Sequence, residues 1–357
     1  MAPAIPKVQV SAAMPSHIRS LPIDQWPSTD REAWTAACRP GQRLMRGGAG
    51  SHLKQVTLLD LARRYGYFLD FLDRSGLLDR DAAAAGLVAL ETVDKYIQEL
   101  KERVRSVTTY GSIYKLRRAS QLLDPCRDFR WLIEIEKDLA LDMRPRSKAD
   151  RLVLTEVLVE AGLTLIAEAE SSATLSPLAK ARQFRNGLMV AMLAMHPIRL
   201  NNFVSLEIGR NVSNTDGSWW IALSAAETKE KRPDERRIDE TIAPALGKYL
   251  NMYRPALTMK DGQSGALWLS SNTGQAMTYH AVAATIERTT RVAIGVGISP
   301  DMFRTSAASS AAVHAGHNPH LGSALLHHRD KRVTEQHYNR ASSLSAAKAF
   351  GQLIKQL

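Results

Sequence analysis

The chain has 357 residues, of which 45% are hydrophobic, enough to build buried cores but too many for one ordinary domain, so two domains are expected. Its 47 Lys and Arg against 36 Asp and Glu leave a formal charge of +11, a balance that attracts polyanions such as nucleic acid without singling one out. Cys38 and Cys126, the only cysteines, lie far apart and outside any C-x-x-C spacing, which argues against a disulfide framework and a cysteine zinc site. No run of about 18 apolar residues occurs, and no long apolar leader core, so a soluble, unsecreted, cytoplasmic protein is expected.

Residues 1–50 mix prolines and small residues with the glycine-rich stretch Arg46-Gly47-Gly48-Ala49-Gly50, and read as a loosely structured arm with one short helix from Ser28 to Cys38. From Ser51 the pattern changes. Leu58, Leu61, Ala62, Tyr65, Phe68, Leu69 and Leu72 recur at helical spacing until Gly76, and further helices are expected at Leu90 to Val104 and Thr108 to Leu123. The latter carries Tyr110, Lys115, Arg117 and Arg118 in a strongly basic stretch. Residues 51–141 thus form a helical domain, and the charged, proline-containing segment 142–148 is a linker.

Residues 149–357 form the second domain. Long buried helices are expected at Leu152 to Ala169 and Leu178 to Met195, with strands at Trp219 to Leu223 and Arg237 to Ile242 joined by a charged turn. Helices then resume at Pro244 to Tyr253, Tyr279 to Val292, Asp301 to Ala315 and His320 to His328, with a last amphipathic helix near Leu344 to Leu357.

Four patches of this domain carry chemistry when taken together, because phosphoryl transfer needs cations for the developing charge, a nucleophile, and an acid for the leaving oxygen. Arg199 follows His196-Pro197-Ile198 in a turn at the end of an apolar helix, where a guanidinium can fork onto two phosphate oxygens or, alternatively, cap the helix or join a salt bridge. Thr228-Lys229-Glu230-Lys231-Arg232 occupies the turn between the strands; it is either a lysine presented to a DNA groove or a solvated hairpin. Arg304 lies in the first turn of the helix opened by Ser299-Pro300-Asp301. Leu326-His327-His328 is followed, ten residues after His328, by Tyr338, which taken alone reads more readily as a half-buried packing residue than as a nucleophile.

In order and spacing, these residues resemble the active-site signature of the tyrosine recombinase (phage integrase) family: an Arg, a hairpin Lys, a His-x-x-Arg, a Leu-Gly-His and a Tyr. The resemblance covers the whole second domain, and the helical first domain looks like the family's core-binding domain. It implies a mainly α protein with a small β-sheet, in which a helical, SAM-like core-binding domain precedes an α+β integrase-type catalytic domain. It further implies that Tyr338 is the nucleophile, that Arg199 and Arg304 clamp the scissile phosphate, that His328 donates to a non-bridging oxygen, and that Lys229 protonates the leaving 5′ oxygen, with Lys231 as the rival acid. No metal or other cofactor is called for, since fixed cations supply the charge. The implied activity is site-specific DNA cleavage and rejoining through a 3′-phosphotyrosyl intermediate, in integration, excision or resolution. The implied partners are duplex DNA and a homotetramer assembled on it, with room for an accessory DNA-bending or directionality factor. The setting would be the nucleoid of a prokaryote, phage or mobile element, away from membranes.

Three positions depart from the signature. Asp301 stands where its first His is expected; an ionised carboxylate accepts hydrogen bonds but cannot donate, so Asp301 would orient Arg304, take the tyrosine proton, or merely cap the helix. Thr305 replaces the common His after the second Arg, and His327 replaces Gly before His328. His314, His317 and His320 recur every three residues, but Gly316 and Pro319 break the helix that would align them as metal ligands. Two rivals share the fold: a DNA-binding regulator that does not cut, for which Asp301 is the best support, and a type IB topoisomerase or hairpin telomere resolvase.

Overall fold

The computed structural model describes residues 18–43, 45–145, 151–258, 264–315, 318 and 320–326. The chain divides into two compact units, Met1–Arg146 and Ser147–Leu357.

The first unit is helical. It contains α1 (Ser28–Cys38), α2 (Gln55–Arg74), α3 (Leu90–Arg103), α4 (Ser106–Leu123) and α5 (Arg130–Leu141). The apolar stripe of α2, from Tyr65 through Phe68 and Leu69 to Leu72, is wholly buried against Tyr96 and Leu100 of α3 and Ile113 and Leu116 of α4. Helix α5, which the sequence reading passes over because charges interrupt its apolar run, buries Leu132 and Leu139 and places Glu136 against Arg117 at 2.6 Å.

The expectation of a loose arm through residue 50 is corrected from residue 18 onward. Leu21, Trp26 and Trp34 are buried in the same core, with the Trp26 ring edge-on to Tyr65 at 4.9 Å. Asp30 of α1 accepts the Tyr65 hydroxyl through one oxygen and the Ala85 amide through the other, both at 2.8 Å. The glycines that suggest flexibility serve close packing instead. A Cβ on Gly48 would collide with the carbonyls of Ala36 and Ala37, while the Gly48 amide bonds to Arg39 O at 2.9 Å.

The second unit is built around α7 (Pro177–Met195), buried almost continuously from Phe184 to Ala194. Ser176 caps its start, and α6 (Thr155–Ser171) lies against it so closely that a Cβ on Gly162 would stand 2.6 Å from Ala191 N. After α8 (Leu200–Val204) come β1 (Val212–Thr215), β2 (Ser218–Leu223) and β3 (Asp234–Arg237), an antiparallel meander in the order β1-β2-β3. Strand β3 begins three residues earlier than its apolar residues suggest, because the charged run Asp234–Arg237 makes the pairing, with Leu223 opposite Asp234 and Ile221 opposite Arg236. Ile238 and Ile242, read as strand, go into the core just beyond it.

Helix α9 (Ala243–Lys248) runs into a π-helical turn at Tyr249–Tyr253, and α10 (Tyr279–Ile294), α11 (Pro300–His314) and α12 (Leu321–Leu326) complete the described unit. Among the described residues no helix is long and apolar enough to cross a membrane. Among the described residues the fold is therefore mainly α with one small sheet, divided between a helical unit and an α+β unit.

Candidate active site

The end of α7 sets the first position. The Ile198 amide bonds to His196 O at 2.7 Å, a tight turn that Pro197 favours, and leaves Arg199 extended at the start of α8, whose first bond is Phe203 N–H to Arg199 O. The Arg199 guanidinium is partly exposed and its Nη2 pairs with Glu230 Oε1 at 2.8 Å.

Glu230 belongs to the β2–β3 loop, which is pinned at both ends. Buried Thr228 accepts the Arg232 amide at 3.1 Å and donates its hydroxyl to Arg232 O at 2.7 Å. Just before it, Glu227 accepts the Ser224 amide, an Arg210 guanidinium nitrogen at 2.6 Å, and the Ser224 hydroxyl; these bonds, the backbone amide first, push its carboxyl down to about 2. Lys231 adopts a left-handed φ of 54°, and both Lys229 and Lys231 are exposed on either side of Glu230.

Arg304 ties distant elements together. From the first turns of α11 it donates through Nη1 to Pro197 O at 2.6 Å and through Nη2 to Leu326 O at 2.7 Å. Burial, followed by repulsion from Arg199 and Arg236, lowers its pKa to about 10, still charged at neutral pH. Asp301 is exposed one turn earlier and attracts this guanidinium through space, while the hydrogen bonds of Arg304 to Pro197 O and Leu326 O go to backbone carbonyls.

The structure thus brings together three candidate positions: Arg199, the Lys229 loop and Arg304. His328 and Tyr338 lie outside the described residues, as do His327, His317 and the segment from Leu344 to Leu357. His314 is engaged with Glu156, Nε2 to Oε1 at 2.9 Å, and among the described residues no group of three or more His, Cys, Asp and Glu side chains is placed to hold a metal ion.

Three participants escape the sequence reading. Glu230 hides between two lysines; Arg236 of β3, held by Asp234, bonds to Leu325 O; and buried His196 accepts the Asp239 amide on Nε2 at 3.4 Å. The spacing of Asp234 and Arg236 puts both on one strand face, a signal legible only once β3 is correctly bounded. Burial, then the Arg236 charge, lowers His196 to about 4, so its ring is neutral at pH 7.

In the first unit the basic stretch of α4 is largely committed to the fold. Arg117 is bidentate on Glu136, Lys115 pairs with Asp60 of α2 at 2.5 Å, and Arg118 donates to the Tyr114 hydroxyl at 3.1 Å.

No protein-family model matches the sequence, and neither does any curated protein. Among solved structures, XerH site-specific recombinase bound to its difH substrate in a pre-cleavage complex aligns at TM-score 0.51 and 16% identity, over 81% of this chain and 79% of that one. Lambda integrase, as a dimer bound to a COC′ core site, aligns at TM-score 0.47 and 14% identity over 81% and 90% of the respective chains. At these identities the likeness is one of fold: the chain has a tyrosine-recombinase fold.

Proposed function

We propose that the protein is a site-specific DNA recombinase that cuts and rejoins strands through Tyr338. The observation that carries this reading is the stitching of Arg304 to the turn that presents Arg199 and to the end of α12, directly before His327 and His328, inside this fold. Two guanidinia gathered on one site suit a phosphate whose charge grows as a fifth oxygen approaches.

In the proposed step the Tyr338 oxygen attacks the scissile phosphorus and its proton passes to a base. A 3′-phosphotyrosyl bond forms as the bond from phosphorus to the 5′ oxygen breaks, and Lys229 delivers a proton to that oxygen. Arg199 and Arg304 neutralise the non-bridging oxygens, with His328 as a further donor. The linkage keeps the phosphodiester energy, so a 5′ hydroxyl from a partner strand reverses the step without a nucleotide cofactor. The first unit is the helical core-binding domain on duplex DNA, the second is catalytic, and exchange proceeds among four protomers on two sites. Asp301 is the residue whose part is least like the signature, and it favours the second reading, a regulator that binds DNA without cutting.

The test is a pool of nicked duplexes incubated in EDTA with the wild type and with Tyr338→Phe, then resolved under denaturing conditions. A DNA-linked protein band that requires Tyr338 supports the recombinase. Footprinted binding with no covalent band supports the regulator.

A further inference from the structure

Arg182 near the start of α7 and Arg288 on α10 line one open pocket of about 250 Å³ within the second unit, and no acidic residue lines it with them. Among the described residues neither guanidinium makes a hydrogen bond or an ion pair. From Arg182 to Met195 the helix runs about 20 Å, so the pocket lies well away from the turn that presents Arg199.

A third cation stands beside the first two. Arg185 is 3% exposed and spends its donors on neutral acceptors: Leu269 O, and Asn186 Oδ1 from Nε at 3.1 Å and from Nη2 at 2.8 Å. Burial lowers its pKa; Tyr249 opposes that shift, and the charges of Arg182 and Arg288 add to it, so the three guanidinia are near enough to repel one another. A buried charge without a counter-charge is costly, and an anion in the pocket would relieve all three.

The neutral lining is set up to donate as well. Asn186, one turn after Arg182, is held through its oxygen, which leaves its amide nitrogen for the pocket. Thr289 lines the same space at only 9% exposure, and its hydroxyl has no hydrogen-bond partner among the described residues. The other walls are apolar: Leu165 of α6, Leu175 before α7, and Val292 of α10, which is 79% exposed. Glu168 accepts the Gln183 amide at 3.3 Å and lines the adjoining groove between α6 and α10.

We infer that this pocket binds a small organic phosphate monoester, its phosphate held by Arg182, Arg288, Asn186 and Thr289 and its apolar group lying against Leu165, Leu175 and Val292. Two guanidinium forks, an amide and a hydroxyl offer more donors than a carboxylate's roughly four lone-pair sites accept, whereas a phosphate monoester presents three strongly accepting oxygens and about two negative charges. Apolar walls around a few convergent polar groups are the usual make-up of a small-molecule site. The inference is independent of the recombinase reading.

The experiment titrates the full chain with phenyl phosphate and with inorganic phosphate by calorimetry, using wild type, Arg182→Gln, Arg288→Gln, Thr289→Val and Arg199→Gln, with melting temperatures measured alongside. Phenyl phosphate is expected to bind at least about 10-fold more tightly than inorganic phosphate, because its ring leaves water for the apolar walls. Each of Arg182→Gln and Arg288→Gln should weaken it about 10-fold or more, and Thr289→Val about threefold or more, while Arg199→Gln leaves its dissociation constant within about twofold. Equal affinity for the two probes would reduce the pocket to a patch of charge and overturn the inference. So would absence of binding, or binding lost in Arg199→Gln and kept in Arg182→Gln and Arg288→Gln, which would put the phosphate at the proposed cleavage site. Displacement of phenyl phosphate by duplex DNA from wild type and Arg199→Gln alike would assign the two arginines to a DNA surface and overturn it too. The Tyr338 adduct assay is unaffected by any of these results, so the two readings fail separately.

Discussion

Arg199 and Glu230 form an ion pair of 2.8 Å between the turn after α7 and the β2–β3 loop, which places a carboxylate on the guanidinium proposed to receive a phosphate. Two anions compete for one fork, so a phosphate at Arg199 must displace or share with Glu230. A partly exposed pair of this kind contributes about 0.2–1 kcal/mol. Glu230→Gln is accordingly expected to tighten DNA binding about two- to fivefold at low salt, an advantage that shrinks as salt is added. Titrations at two ionic strengths check it; weaker binding by the variant would mean that Glu230 supports the Arg199 geometry and does not oppose the phosphate.

Arg304 spans Pro197 O and Leu326 O with two separate nitrogens, and a lysine can satisfy only part of that arrangement. Arg304→Lys is expected to destabilise the second unit by about 1–3 kcal/mol, the range for leaving a buried acceptor unpaired. Cleavage should fall at least about 100-fold, a loss beyond what the stability change explains. Denaturant unfolding and adduct formation, measured on the same preparation, separate the two effects.

Stability should fall in acid because of His196. Its folded pKa of about 4 lies below the ordinary histidine value, so the unfolded chain takes up the proton first. The contribution of the neutral ring is complete above about pH 6.5, declines as pH falls through the window, and is lost by about pH 4, with an upper bound of about 3 kcal/mol. His196→Gln, neutral throughout, is expected to flatten the slope of unfolding free energy between these pH values. An unchanged slope would assign the acid sensitivity to other groups.

The segment before α2 is expected to be indispensable. Asp30→Ala leaves the Tyr65 hydroxyl and the Ala85 amide without their acceptor in a buried site, at about 2–6 kcal/mol for two groups. Burial raises the Asp30 pKa, while both bonds pull against that shift. Removing residues 1–50 additionally exposes the core surface under Trp26 and Trp34, so the truncated chain should lose the cooperative unfolding transition of the first unit. Hydrogen exchange within α2 would report it directly.

Much of this protein is legible along the chain because its information is local. The helical period of Tyr65, Phe68, Leu69 and Leu72 specifies an amphipathic α2, and the apolar length of Phe184 to Ala194 specifies a buried α7, since spacing on one helix depends only on its own geometry. The identity and order of Arg199, Lys229, Asp301, Arg304, His328 and Tyr338 likewise carry the resemblance on which the proposal of phosphoryl chemistry rests. What the chain could not announce depends on contacts between residues far apart in sequence. The glycine-rich stretch looks loose until α1 is seen filling the space a Cβ would need, and the strand boundary at Asp234 follows from pairing with β2, which overrides the apolar pattern beyond it. The partners of Arg199 and Arg304, and the place of Arg236 at the end of α12, are settled only by tertiary structure, because a guanidinium's acceptors are chosen by three-dimensional proximity and carry no periodicity in sequence.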